Sequence, residues 1–326
     1  MNKNEMYYDR LLPLKTAKLI MPGGQFYWLI NFVINHPDLD FQTGKNKSDS
    51  WISIYRGTTC LLKIHGRLNG YKISVDKKYR TLYPEFYDNP TSLNFEILIS
   101  KIGTYKNELA KNTLTHYYDN QKEGFYQNLI SRRYGIEGKI DDPFVIVDKE
   151  VVIGYFNTSA KKGIIDSIRK KYQPALDELQ KIDKFPSKLN ESTFGNEFDF
   201  LALDSNGKII IIELKDGSDT KKIYLSPFQI YTYCDIYNEY ISRNKDEFEK
   251  VILDMIKQKQ VLGLINSKWV VPNKIVGIRA ALVIGGKYSN AAKTNYQKVI
   301  KVINKYPIET YECDKNGQLV EIQLLP

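Results

Sequence analysis

Asp199, Glu213 and Lys215 lie in two runs that read as neighbouring strands, EFDFLAL (Glu197 to Leu203) and IIIIELK (Ile209 to Lys215), joined by DSNGK. An Asn-Gly pair between apolar runs predicts a tight hairpin. Strand side chains alternate in direction, so Asp199 shares a face with Leu201 and Leu203, and Glu213 and Lys215 share one with Ile209 and Ile211. If the strands pair away from the turn, two carboxylates and an ammonium project from the same end. An unpaired buried charge is costly, so such a group needs a partner. Paired carboxylates suit a hard divalent cation such as Mg²⁺, with Mn²⁺ able to replace it, and the Leu214 carbonyl is a further oxygen donor. Lys215 would then position or help deprotonate an attacking water and offset charge on a phosphate. The expected chemistry is metal-assisted hydrolysis.

This pattern resembles the PD-(D/E)xK, or restriction-endonuclease-like, nuclease superfamily. Its signature is an acid on one core strand followed by Glu or Asp, any residue, and Lys on the next. Asp199, thirteen intervening residues and Glu213-Leu214-Lys215 match it, although Gly195 to Asp199 lacks the proline of the motif name. Gln229 to Tyr233 (QIYTY) adds a QxxxY arrangement like that of the RecB-like branches. Residues four apart share a helix face, so Gln229 and Tyr233 would reach the substrate backbone or steady Lys215. By this resemblance the catalytic core spans about residues 160–286, with Asp199, Glu213, Lys215 and Gln229 as its catalytic group. The superfamily often adds another acid. Glu197, about 6.6 Å along the strand from Asp199, is preferred, with Glu178 as the alternative and Glu191 a further candidate.

The elements around these residues divide the chain. FYWLINFVINHPDLD (Phe26 to Asp40) reads as a helix stopped near His36-Pro37. SWISIYRG and TTCLLKIHG alternate like a hairpin, and GYKISVD is a third strand. Residues 94–133 read as helical. PFVIVDKEVVIGYFN has two apolar runs around a polar turn, and Ala160 to Ile182 is helical despite Pro174. After the hairpin, Ser226 is read as an N-cap with Pro227 in the first helical position, and another helix lies around 247–262. AALVIGG is a buried strand, followed by a helix and a hairpin around Asn316-Gly317. The expected class is α/β: a restriction-endonuclease-like mixed-sheet core at 139–326 with a separate amino-terminal α+β region at 1–138.

Charge assigns different tasks to these regions. The chain of 326 residues has net charge +9, with 20 basic and 13 acidic residues in 1–140 against 27 and 25 in the rest. A polyanion is thus better gripped by the first region. Arg169, Lys170, Lys171, Arg132 and Arg133 are either solvated helix faces or phosphate contacts, and Tyr105, Tyr117, Tyr118, Tyr126 and Tyr134 either pack or stack on bases.

Other chemistries find no footing. Three scattered cysteines make neither a metal spacing nor a disulfide framework and fit a reducing compartment. His36, His65 and His116 are too dispersed for a histidine metal site. No P-loop or Rossmann spacing, no G-x-S-x-G and no apolar run of membrane-spanning length occurs. The expectation is a cytoplasmic, Mg²⁺-dependent endonuclease acting on DNA, in duplex form, in restriction or defence against foreign DNA. Homodimerisation would suit a two-fold substrate, and a protein partner would enter if activity is regulated. Two readings remain beside it: a non-catalytic nucleic-acid-binding module with the nuclease fold, and a protein-interaction module with a basic first half.

Overall fold

The structure is a computed structural model that describes residues 6–46, 49–77, 93–111, 120, 122–182, 185, 197–303 and 305–324. In chain order the elements begin with β1 (Met6–Tyr7), α1 (Leu14–Ile20), α2 (Tyr27–Ile34), β2 (Asp40–Lys45), β3 (Ser50–Arg56), β4 (Thr59–Arg67) and β5 (Gly70–Ser74). Then come α3 (Phe95–Lys111), α4 (Glu123–Arg133), β6 (Phe144–Val152), β7 (Gly154–Tyr155) and α5 (Thr158–Ile182). The remainder is β8 (Glu197–Asp204), β9 (Lys208–Asp216), α6 (Thr220–Val261), β10 (Gly277–Gly285), α7 (Asn290–Ile303), β11 (Ile308–Cys313) and β12 (Leu319–Glu321). The class is α/β.

Two compact units share the chain, one of residues 1–8, 142–252 and 270–326, the other of 9–141 and 253–269. The division differs from two consecutive regions split at 138 in that residues 1–8 and the internal segment 253–269 change sides. The physical reason for the second exchange is that Leu262 and Leu264 belong to the apolar core of the 9–141 unit.

In the first unit a six-stranded sheet runs β12-β11-β10-β9-β8-β6. β6, β8 and β9 are antiparallel neighbours, β9, β10 and β11 are parallel, and β12 closes antiparallel. Ile209 to Ile212 are buried because β9 is central and covered on both faces. The β8–β9 turn is set by Asp204, whose Oδ1 accepts the N–H groups of Asn206 and Lys208, and by Gly207 at φ +83°.

Two local expectations are corrected here. Asp148-Lys149-Glu150 is not a turn: β6 continues through it, with Asp148 buried and accepting the Tyr8 hydroxyl at 2.8 Å. Nor is Ser226 an N-cap. α6 starts at Thr220, where Asp219 Oδ1 accepts the N–H of Lys222, and Ser226-Pro227 lies within it. Pro227 lacks the N–H that would reach Ile223, and the Ser226 hydroxyl supplies that carbonyl instead at 2.7 Å. The separate helix expected around 247–262 is present: non-helical Asn244, at φ −137° and ψ 34°, divides α6 into two helices.

The second unit is a β2-β3-β4-β5 antiparallel meander. Its core joins one sheet face (Ile52, Ile54, Leu62, Ile64, Ile73) to helical side chains such as Leu29, Val33 and Leu98. α2 ends at Ile34, close to the expected stop near His36-Pro37, and the chain from Asp40 forms β2, a strand that the sequence pattern does not announce. Arg132 is neither a solvated face nor a phosphate contact. It is buried, and its guanidinium donates to the carbonyls of Val33, Ile34, His36 and Leu39 at the end of α2. Tyr105, Tyr126 and Tyr134 are buried packing residues, so none presents a stacking face. Tyr117, Tyr118 and His116 lie outside the described residues.

Candidate active site

The β8–β9 ladder runs from Leu203–Ile209 to Phe200–Ile212. One step further, Asp199 stands opposite Glu213, and there the backbone pairing gives way to a side-chain contact: Asp199 Oδ2 accepts the N–H of Leu214 at 2.7 Å. In a strand the N–H and C=O of one residue lie on the same edge. The Leu214 carbonyl therefore turns toward the side where Asp199 sits.

Lys215, two residues beyond Glu213 on the same face, forms an ion pair and hydrogen bond from Nζ to Glu213 Oε1. Both are buried, at 5 and 3% exposure. β10 places Leu282 beside Glu213 and Ile284 beside Lys215, so aliphatic side chains wall that flank. Beyond the strand end, the N–H of Gly217 donates to the carbonyl of Gly285 at 2.8 Å. A Cβ at Gly217 would stand 2.4 Å from the Lys287 carbonyl oxygen, so only glycine lets the two loops close up.

Asp199 has its pKa raised to about 7. Burial is the first cause and the Glu213 carboxylate the second, while Lys215 and the Leu214 N–H oppose them and Glu150 adds a smaller upward push. Tyr233, on α6, donates its hydroxyl to the Glu197 carbonyl at 2.8 Å. Burial and then the charges of Glu213, Asp199 and Glu197 hold that phenol strongly in its neutral form. It is therefore a donor that fixes the start of β8 against α6.

The structure thus brings Asp199, Glu213, Leu214 and Lys215 together, with Tyr233 close by. Glu197 is exposed at the start of β8, opposite Val152. Gln229 is half-buried one helical turn before Tyr233, and no hydrogen bond joins it to the three charged residues. Glu178 is exposed on α5 in a groove lined also by Lys171, Tyr172 and Lys305, to which Asp199, Glu213 and Lys215 do not contribute. Glu191 lies outside the described residues.

Glu150 was not anticipated. The β6–β8 register that pairs Lys149 with Phe200 and Val151 with Phe198 sets Glu150 across from Asp199, with φ at +49°. Three acids, Glu150, Asp199 and Glu213, thereby occupy facing positions on three adjacent strands. A non-glycine residue at positive φ is uncommon and is held there by its surroundings. No local signal announces it, since the pairing spans 49 residues of sequence.

The donor set fits a hard divalent cation held by two carboxylates and one carbonyl, with solvent or substrate oxygens completing the shell, the usual manner for Mg²⁺. Repulsion between Asp199 and Glu213 is the strain such a cation would relieve. Among the described residues no group of three or more His, Cys, Asp or Glu side chains is close enough to hold a metal by side chains alone. Compared with protein-family models, curated proteins and solved structures, the chain gave no match. Among the described residues, no helix is long and apolar enough to cross a membrane.

Proposed function

We propose that the protein is a Mg²⁺-dependent nuclease with a restriction-endonuclease-like core, hydrolysing phosphodiester bonds of DNA in restriction or defence. The observation that carries this reading is the opposition of Asp199 and Glu213 where the β8–β9 ladder opens, with Lys215 paired to Glu213. The core assignment is supported by an antiparallel β8–β9 hairpin followed by α6 and a parallel β10.

Asp199, Glu213 and the Leu214 carbonyl would hold the cation. When bound, it would polarise a phosphoryl oxygen and lower the pKa of a coordinated water. The Leu214 N–H holds Asp199 Oδ2 in place, so the carboxylate needs little rearrangement to act as a ligand. Lys215 Nζ, steadied by Glu213, donates toward a phosphate oxygen and offsets the charge that grows there. Aliphatic neighbours on β10 strengthen these charges by keeping water from that flank. The first region's excess of positive charge suits a DNA backbone, and a homodimer would match a two-fold duplex.

The test is cleavage of supercoiled plasmid, linear duplex, single-stranded DNA and RNA with Mg²⁺, Mn²⁺ or EDTA. Wild type is compared with Lys215→Ala and Asp199→Asn, and folding is checked by thermal melting. Cutting of DNA that needs the metal and falls on the order of 100-fold or more in both folded variants is expected. Cutting that persists in both variants overturns the site. Failure of every substrate, with no Mg²⁺ or Mn²⁺ bound in calorimetry, overturns the nuclease.

A further inference from the structure

The face of the β2–β5 meander turned away from its apolar core carries a second group of reactive side chains. Asp49 stands just before β3, His65 lies on β4 and Ser74 ends β5. Asp49 Oδ2 lies 2.7 Å from His65 Nδ1, and His65 Nε2 lies 3.0 Å from Ser74 Oγ. A neutral imidazole serves both contacts in one tautomer: Nδ1 donates to the carboxylate and Nε2 accepts the Ser74 hydroxyl. Asp49 is fixed in turn, its N–H donating to Asn46 Oδ1 at 2.9 Å and its carbonyl accepting the Asn46 N–H at 2.8 Å. Without a G-x-S-x-G motif the sequence announces no nucleophilic serine; strand register assembles this one.

The imidazole is set up as a base. Burial is the first cause that lowers its pKa from 6.5; Asp49 pulls upward, and Lys63 and Arg67 add to the lowering, so the ring is neutral at pH 7. The His65 side chain is 16% exposed and Ser74 is half-buried, so neither is sealed inside the unit. Cross-strand neighbours on one face stand about 5 Å apart at Cβ. Lys63 is the neighbour of Ser74 and Lys72 that of His65, with Arg67 two residues further along the same face of β4. Three cations therefore surround one carboxylate. Lys63 Nζ stands 4.4 Å from the centre of the Trp51 ring, and Trp51 is the β3 neighbour of His65.

We infer that Ser74, His65 and Asp49 form a nucleophilic site that hydrolyses carboxylic esters bearing an anionic group. Ser74 Oγ attacks the ester carbonyl while its proton passes to His65 Nε2. The tetrahedral adduct collapses to an acyl-Ser74 as that proton moves on to the departing alkoxide. Water, deprotonated by the same imidazole, then attacks the acyl carbon, and the proton returns to Ser74 Oγ as the acid leaves. Asp49 is a positioning residue: it fixes the tautomer and stabilises the imidazolium formed at each step. Lys63 and Lys72 offset charge on the carbonyl oxygen and favour a substrate with a negative group. The inference requires nothing of the Asp199 centre.

The test treats the full chain in EDTA with a biotinylated fluorophosphonate, whose fluoride an activated serine displaces, and maps the product by mass spectrometry. Hydrolysis of p-nitrophenyl acetate and of mono-p-nitrophenyl succinate is followed alongside, and each variant's folding is checked by thermal melting. One phosphonyl group on Ser74 and hydrolysis of the succinate ester about tenfold faster than the acetate, in kcat/KM, are expected. Ser74→Ala should remove the label, and His65→Gln should slow labelling about 100-fold or more. Asp49→Asn, which keeps its shape, should slow labelling comparably and gives the same reading where His65→Gln lowers the melting temperature. A Lys63→Met, Lys72→Met double variant should erase the preference for the succinate ester. Lys215→Ala should label and hydrolyse like wild type, which separates this site from the nuclease reading. A purely structural hydrogen-bonded chain leaves Ser74 unreactive. Absence of label on Ser74 in the folded wild type, undiminished labelling in folded His65→Gln or Asp49→Asn, or failure to turn over either ester overturns the inference.

Discussion

Asp199 takes the backbone N–H of Leu214 with one carboxylate oxygen while standing opposite Glu213 across the opened end of the β8–β9 ladder. The contact stabilises strand geometry, but it holds two like charges near each other in a largely buried place.

Removing one of those charges without changing shape should therefore stabilise the metal-free protein. In Asp199→Asn the amide oxygen can still accept the Leu214 N–H, and the repulsion is gone. An increase in unfolding free energy on the order of 1–3 kcal/mol in EDTA is expected from urea denaturation. Stabilisation by added Mg²⁺ should shrink at the same time. A variant less stable than wild type in EDTA would show that the carboxylate is held by something other than strain awaiting a cation.

Arg132 satisfies carbonyls at the end of α2 and binds Glu137 through Nε at 2.7 Å. Its planar fork reaches several acceptors at once, which an ammonium cannot reproduce. Arg132→Lys should cost about 2–3 kcal/mol and Arg132→Met about 3–5 kcal/mol. Chemical denaturation gives the values, and a change below 1 kcal/mol in both would refute the carbonyl-capping role.

Ser226 and Pro227 should be energetically coupled through the Ile223 carbonyl. Ser226→Ala leaves that buried acceptor without its donor and should cost about 1–2 kcal/mol. On a Pro227→Ala background the restored N–H takes over, so the same change should cost less than half as much. Additive effects in this double-mutant cycle would mean that the hydroxyl and the proline act independently.

His65 makes the fold sensitive to acid. Its pKa is lowered from 6.5, first by burial, against which Asp49 pulls upward; Lys63 and Arg67 add to the lowering. Trp51 and Lys72 flank it in register on β3 and β5, with Ser74 at Nε2. Because the folded pKa lies below the unfolded one, the unfolded chain takes up the proton first. The His65 contribution to stability is present above pH 6.5 and is lost as pH falls through the folded value. Denaturation midpoints between pH 8 and 5 should decline with a slope that His65→Gln reduces. An identical decline in that variant would place the acid sensitivity elsewhere.

Short-range patterning determined the part of the candidate site that one hairpin contains. A period of two and an Asn-Gly turn sufficed to set Asp199 and Glu213 at one end and Lys215 on the same face, because all three lie within seventeen residues of chain. The alternating strands of the 9–141 unit and the buried β10 were legible for the same reason. Other features depend on partners distant in sequence. Glu150 reaches Asp199 only because β6 pairs with β8, and the charged DKE triplet continues as strand because Tyr8 supplies Asp148 with a hydrogen bond. Arg132 became a structural cation because the fold carries the carbonyl end of α2 to it, and Leu262 and Leu264 joined the other unit because its core receives their apolar side chains. Local propensity and periodicity specify elements and their faces. Which buried polar group finds which partner is decided by the tertiary structure, since leaving a donor, acceptor or charge unpaired away from water costs more than local preference supplies.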